Sequence, residues 1–273
     1  MLINVEFPMS ASKWLKGFGV ALAVTVLSAN AYANEKIKVG VMGGAEEEIA
    51  EVAKKVAATK GVDVQLVTFQ DYVLPNAALD NGELDANAFQ HKPYLDAQIA
   101  AHGYKIVSIG FTIVEPIGLY SKKYKKLADI PNGAKIGIPN DPSNGGRALN
   151  LLASNGVIKI KDGKGLTPSV ADITDNPKGL KLVELDAAQL PRSVDDFAGA
   201  IVNTDHALNG GLDPVKDLVI QESRTNNPYG NFVAARAVDK DKPALKVLVA
   251  AYQSDEVKKF LETRFKGAIL PAW

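Results

Sequence analysis

The run Asn140-Asp141-Pro142-Ser143-Asn144-Gly145-Gly146-Arg147 combines what a site for an anion needs. Glycines let backbone approach a ligand, a helix start offers unpaired N–H groups, and an arginine grips a carboxylate through two parallel hydrogen bonds. An arginine paired with a surface acid fits the same run, and the pattern leaves both readings open. A second turn, Gly40-Val41-Met42-Gly43-Gly44-Ala45, lacks the G-x-G-x-x-G spacing of a dinucleotide site. The nearby acid, Asp63, stands at the start of the next expected strand, where a ribose-binding acid would stand at its end. The turn therefore reads as backbone N–H groups at a helix N-terminus, suited to an anionic group.

Phe69-Gln70-Asp71-Tyr72 and Phe89-Gln90-His91-Lys92-Pro93-Tyr94 gather aromatics and one histidine beside expected strand ends. Loops at the carboxyl ends of parallel strands are where α/β proteins bind ligands. Aromatic core packing is the competing reading, and for Phe69 it is preferred. His91, His102 and His206 are all the histidines, and their spacing suits no metal. No serine or cysteine nucleophile accompanies His91, and the G-x-S-x-G and Walker A patterns are absent. With no cysteine in the chain, thiolate nucleophiles, Cys-bound zinc and iron–sulfur clusters are excluded. The expectation is a protein with no catalytic residue, no metal and no cofactor. Asn203, after the apolar run 200–202, and Asn231, after Tyr229-Gly230, carry amides that accept from an ammonium, donate to a carboxylate, or cap a turn.

Elements that position these residues follow from periodicity. Residues 36–41 alternate polar and β-branched positions as a strand does, and 46–59 carry apolar side chains at helical spacing. Residues 62–69 return to strand, which makes a parallel, right-handed βαβ unit. A helix near 93–101, strands at 105–109 and 135–138, and a helix through Arg147 to Leu152 continue the alternation. Further strands are expected at 181–185, 199–202, 218–221 and 231–235, with two closing helices over 242–265. Glu115-Pro116-Ile117-Gly118 and Asn227-Pro228-Tyr229-Gly230 pair a stiff proline with a permissive glycine. As crossovers they divide the chain into lobe I, residues 34–115 plus 230–273, and lobe II, residues 116–229, joined by a hinge.

The 273 residues carry 31 lysine plus arginine and 31 aspartate plus glutamate, so no net field points to nucleic acid. The one basic run, residues 122–126, reads as a solvated turn. Lys13 and Lys16 precede an apolar stretch over 17–27, and Ala31-Tyr32-Ala33 follows as a cleavage pattern. Residues 1–33 thus read as a secretory signal peptide, with Met1 or Met9 as the start. The expected product is periplasmic, released by cleavage and, for want of a cysteine, without a lipid anchor.

Several segments together resemble the MetQ/NlpA family of methionine-binding proteins. They are Gly44-Ala45-Glu46, Phe69-Gln70-Asp71-Tyr72-Val73-Leu74-Pro75-Asn76, Pro139-Asn140-Asp141-Pro142, Gln189-Leu190-Pro191-Arg192-Ser193 and residues 250–257. The most specific is Asp85-Ala86-Asn87-Ala88-Phe89-Gln90-His91-Lys92-Pro93-Tyr94. The resemblance implies an α/β, two-lobed type II periplasmic-binding-protein fold with a hinge between the lobes. It implies a monomer that holds L-methionine and hands it to the permease and ATPase of an ABC importer. By the same resemblance Tyr72, Phe89, His91 and Tyr94 surround the thioether tail. Arg147, helped by Asn203, grips the α-carboxylate, and Asn231 holds the amino end. The alternatives are another amino acid or a methionine-containing dipeptide as ligand, or, in a different class, a secreted α/β hydrolase using His91. A surface adhesin that kept the fold would be expected to have lost Arg147 or Asn203, and both are present.

Overall fold

The computed structural model describes residues 35–273. The leader expected over 1–33 lies outside them. In chain order, β1 (Glu35–Met42), α1 (Ala45–Ala58) and β2 (Val62–Phe69) form the expected unit. They are followed by α2 (Leu74–Asp80), β3 (Ala86–His91), α3 (Lys92–His102) and β4 (Ile106–Val114). The middle of the chain holds β5 (Gly118–Tyr120), β6 (Lys135–Pro139), α4 (Pro142–Ser154), the short pair β7 (Lys159–Ile160) and β8 (Ile173–Asp175), and β9 (Lys181–Leu185). It continues through α5 (Leu190–Ser193), β10 (Gly199–Val202), α6 (Thr204–Asn209) and β11 (Leu218–Gln221). The last quarter is β12 (Gly230–Arg236), α7 (Pro243–Tyr252), α8 (Asp255–Phe265) and β13 (Leu270–Pro271).

Two main sheets result. The six-stranded one runs β13-β4-β12-β3-β1-β2, and the five-stranded one β11-β5-β10-β6-β9. β1 lies parallel to β2 and β3, while β12 is antiparallel to β3 and β4. In the second sheet β6 lies parallel to β9 and β10, and β5 is antiparallel to β10 and β11. The chain leaves the first sheet after Val114 and returns to it at Gly230.

Each sheet has its own apolar core, which is why the fold is two-lobed. Val39, Val41 and Val233 pack with Ile49 and Ala53 of α1, Leu248 of α7 and Leu261 of α8. Leu119, Ile136, Ile138 and Ile201 pack with Leu149 and Leu152 of α4. The apolar period read from residues 46–59 is the face of α1 that enters the first core, where Ile49 and Ala53 are buried. Pattern reading passed over α2 and β3 and ended the strand at 105–109 too early, since β4 runs on to Val114. All six residues of β3 are buried, so polar–apolar alternation had nothing to mark.

Candidate functional site

Both sheets deliver side chains to one cavity. All seven residues nominated from sequence line it: Tyr72, Phe89, His91, Tyr94, Arg147, Asn203 and Asn231. Gln90, Glu115, Asn144 and Thr204 join them. The cavity sits where α/β proteins are expected to bind, at the carboxyl ends of β3, β6 and β10.

The first sheet supplies an aromatic wall through a break in strand regularity. Along β3, Asn87 and Ala88 pair with Ala234 and Val233, but Gln90 pairs with Phe232, leaving Phe89 as an extra residue. Such a bulge twists a strand and re-aims its side chains. Here three consecutive residues, Phe89, Gln90 and His91, reach the cavity instead of alternate ones. The ring centroids of Tyr72, Phe89 and Tyr94 stand 5.9–6.1 Å apart, and Tyr94 Oη donates to the Tyr72 carbonyl at 2.8 Å. Met42 packs against them. Behind the wall Asn76, Asn87 and Gln90 bond one another at 2.6–3.0 Å, which satisfies three buried amides and fixes β3 against α2.

His91 ends β3 and caps α3. Its Nδ1 accepts from the Tyr94 backbone N–H at 3.3 Å, so Nε2 carries the proton and donates to Asn144 Oδ1 at 3.2 Å. Burial and the Arg147 charge lower its pKa to about 3, so the imidazole is neutral.

The second sheet supplies the cation. Asp141 caps α4 by accepting from the Asn144 N–H at 2.9 Å, and Pro142 occupies the first turn, where no N–H is needed. Arg147 follows one turn later and is 3 % exposed. Its Nε lies 3.1 Å from both oxygens of Glu222, and Nη2 lies 2.6 Å from Glu222 Oε2 and 2.7 Å from the Glu115 carbonyl. The guanidinium rests 4.2 Å over the Tyr229 ring. Nη1 makes no hydrogen bond among the described residues, and it is the donor left for a ligand. Asn203 Nδ2 donates to Asn144 Oδ1 at 3.0 Å, while its own Oδ1 is buried without a partner among the described residues.

Sequence reading missed three carboxyl groups at the site: Glu115 lines the cavity, while Glu46 and Asp205 stand behind the lining residues Asn231 and Tyr72. Glu46, Glu115 and Asp205 are all buried. Burial, then repulsion from Glu115 and Asp205, holds Glu46 well above the usual carboxylate range. Burial and Asp205 do the same to Glu115, against the pull of Arg147. Asn231 Nδ2 donates to Glu46 Oε1 at 3.3 Å, and Glu115 Oε1 has no partner among the described residues. Asp205 accepts from Tyr72 Oη at 2.7 and 2.8 Å. Such a cluster calls for a proton or a cation. Among the described residues no three His, Cys, Asp or Glu side chains are arranged to hold a metal ion. At positions 46, 115 and 205 the acids are too far apart in sequence to be read as a group.

Two local readings are corrected. Gly145 and Gly146 lie inside α4, where an added Cβ would stand 2.9 Å from the Pro139 carbonyl oxygen or 2.7 Å from Leu166–Thr167 backbone. They let the helix pack closely and do not face a ligand. The turn at Gly43-Gly44 is no anion site, because protein acceptors take its donors. Ala45 N–H donates to Asn209 Oδ1 at 3.2 Å, and the Gly44 N–H faces Glu47 Oε2 at 3.5 Å. The basic run is structural: Lys122 pairs with Asp217 at 3.0 Å, and Lys123 Nζ donates to the Asp195 and Phe197 carbonyls.

Two lobes, a cavity fed from both, a buried arginine with one free donor, buried carboxyl groups and an aromatic wall define a solute-binding protein for a small zwitterion. The chain belongs to the NlpA lipoprotein family, whose model matches residues 37–273. It is 55% identical over 240 residues to the D-methionine-binding lipoprotein MetQ of Yersinia pestis, covering 87% of this chain and 88% of that one. A nutrient-binding protein from Burkholderia cenocepacia, solved bound to methionine, superposes with a TM-score of 0.84 at 54% identity, covering 87% of this chain and 100% of that one. A periplasmic substrate-binding protein of an ABC transporter from Coxiella burnetii gives a TM-score of 0.83 at 48% identity, covering 86% and 100%. These findings correct the expectation of a free, lipid-less periplasmic protein, because the family and its relative are named lipoproteins. That expectation rested on the missing cysteine alone, and a missing acylation site in these 273 residues does not establish free diffusion.

Proposed function

We propose that this chain captures methionine, with L-methionine as the first ligand to test, and delivers it as a monomer to the permease and ATPase of an ABC importer. The observation that carries the reading is the cavity's two-ended character. Arg147 Nη1 suits the α-carboxylate, and Glu115 Oε1, Asn203 Oδ1 and the oxygen of Asn231 suit the ammonium. Tyr72, Phe89 and Tyr94 suit a polarizable thioether, whose burial contributes about 1.5–3 kcal/mol. Asn203 thus serves the amino end and not the carboxylate. We take the crossings at 115–118 and 227–230 as the hinges, with the lobe boundaries expected from sequence. The site binds without chemistry, since His91 is neutral and engaged on both ring nitrogens.

Titration calorimetry with both enantiomers tests this, because the Yersinia pestis relative's name carries the D form. Methionine is expected to bind, and Arg147→Ala to cost about 2–5 kcal/mol, since it strands a buried charge. Absence of binding by either enantiomer would overturn the reading.

A further inference from the structure

Away from the cavity lining, Asn209 makes a further polar contact between the lobes. Asn209 ends α6, which follows β10 of the second sheet. Its Nδ2 donates to the Gly43 carbonyl at 2.7 Å, and its Oδ1 accepts from Ala45 N–H at 3.2 Å. Gly43 stands in the turn between β1 and α1, and Ala45 opens α1, both in the first lobe. One carboxamide therefore closes two hydrogen bonds across the lobes, satisfying a turn carbonyl and an unpaired N–H at the start of α1. Gly44 between them has φ of 88°, and an added Cβ there would overlap the Asn209 carboxamide. The turn is thus shaped to receive this side chain. Asn209 itself is exposed and is not part of the cavity lining.

We propose that Asn209 is a latch: a positioning residue that holds the two lobes closed over the ligand without touching it. The inference rests on the reading that the lobes open and close around methionine. Its neighbours on α6 fit the role, because Thr204 lines the cavity and Asp205 accepts from Tyr72 of the first lobe. The helix that carries the latch is anchored at the binding site by its other end. A latch shifts the closed fraction equally for every ligand. It changes residence time and leaves the ranking of ligands alone.

The test compares the full chain with Asn209→Ala in two measurements. Small-angle scattering without added ligand reads the lobe separation, and stopped-flow release of methionine reads residence time. The variant is expected to scatter with a larger radius of gyration. It should release methionine about tenfold faster, as suits the loss of two hydrogen bonds worth roughly that factor. Its ratio of affinities for the two enantiomers should stay unchanged. A variant with wild-type scattering and release but a lower melting temperature would make Asn209 a helix cap only and overturn the proposal. If the wild type takes up no methionine, the functional reading falls, and the scattering comparison still decides the latch.

Discussion

At the scale of single residues, the site shows which side chains announce themselves in a sequence. Arg147 and His91 were legible because each stands in a run whose neighbours are distinctive: Pro142 and the glycines before one, Pro93 and Tyr94 after the other. Glu46, Glu115 and Asp205 were not, since a lone acid in sequence looks like any surface carboxylate. Only the fold brings them together and buries them. His91 makes the cost of burial measurable. Its folded pKa is about 3, against about 6.5 when unfolded. Between those values the unfolded chain binds a proton that the folded chain does not, so stability falls as pH falls through that window, by up to about 1.4 kcal/mol per unit. Glu46 and Glu115 act with the opposite sign. Their folded pKa values are raised, so their stabilising contribution is present at low pH and is lost as pH rises above the ordinary glutamate range. The profile of the wild type alone therefore mixes the two. Urea denaturation at several pH values, with His91→Gln as reference, isolates the histidine. The wild type should lose stability relative to the variant on going from pH 6.5 to pH 4, and a flat difference would mean that His91 charges freely in the folded state.

At the scale of elements, strands and helices with one exposed face were readable, and those without one were not. β1, α1, β2 and the pair α7 and α8 sit close to where periodicity put them. β3 is wholly buried and carries the bulge at Phe89, so neither alternation nor even spacing marks it, although it supplies Phe89 and His91 to the cavity. α4 was placed correctly, but its glycines were given the wrong task. A Cβ added at Gly146 would stand 2.7 Å from the Leu166 carbonyl oxygen and from the Thr167 Cα. In an exposed helix Gly→Ala stabilises by up to about 1 kcal/mol. Here the methyl group must push backbone aside, and overpacking costs about 1–3 kcal/mol. Gly146→Ala should therefore be less stable than the wild type in urea, and should also bind methionine more weakly, because Arg147 rides on the same turn. A gain in stability would show that the segment at 166–167 yields easily and that the glycine is not a packing requirement.

At the scale of the whole molecule, the proposed binding mode gives the ligand's tail to the first lobe and its head to groups from both lobes, with Glu115 and Asn231 from the first. The aromatic side chains come from β3, α3 and the turn after β2, all in the first lobe, whereas Arg147 and Asn203 come from the second. A ligand bridges the lobes only if its head and its tail both fit. The head contacts are common to every α-amino acid, so Arg147 cannot rank one amino acid above another. Ranking must come from the sleeve formed by Tyr72, Phe89, His91 and Tyr94. Its hydroxyls and ring nitrogens are already engaged, Tyr72 on Asp205, Tyr94 on the Tyr72 carbonyl, and His91 on Asn144 and the Tyr94 N–H. A sulfoxide oxygen entering this sleeve must give up water without finding a free donor, a loss of about 1–3 kcal/mol by protein mutational measure. Leucine keeps the apolar area but branches early, leaving part of a sleeve built for an unbranched chain unfilled, and poor fit also carries a cost. Competition calorimetry should therefore rank methionine first, with methionine sulfoxide and leucine each weaker by tenfold or more, as about 1.4 kcal/mol corresponds to a factor of ten. Equal affinity for all three would mean that the aromatic wall is packing and not recognition, and methionine would then have to be given up as the ligand the cavity selects.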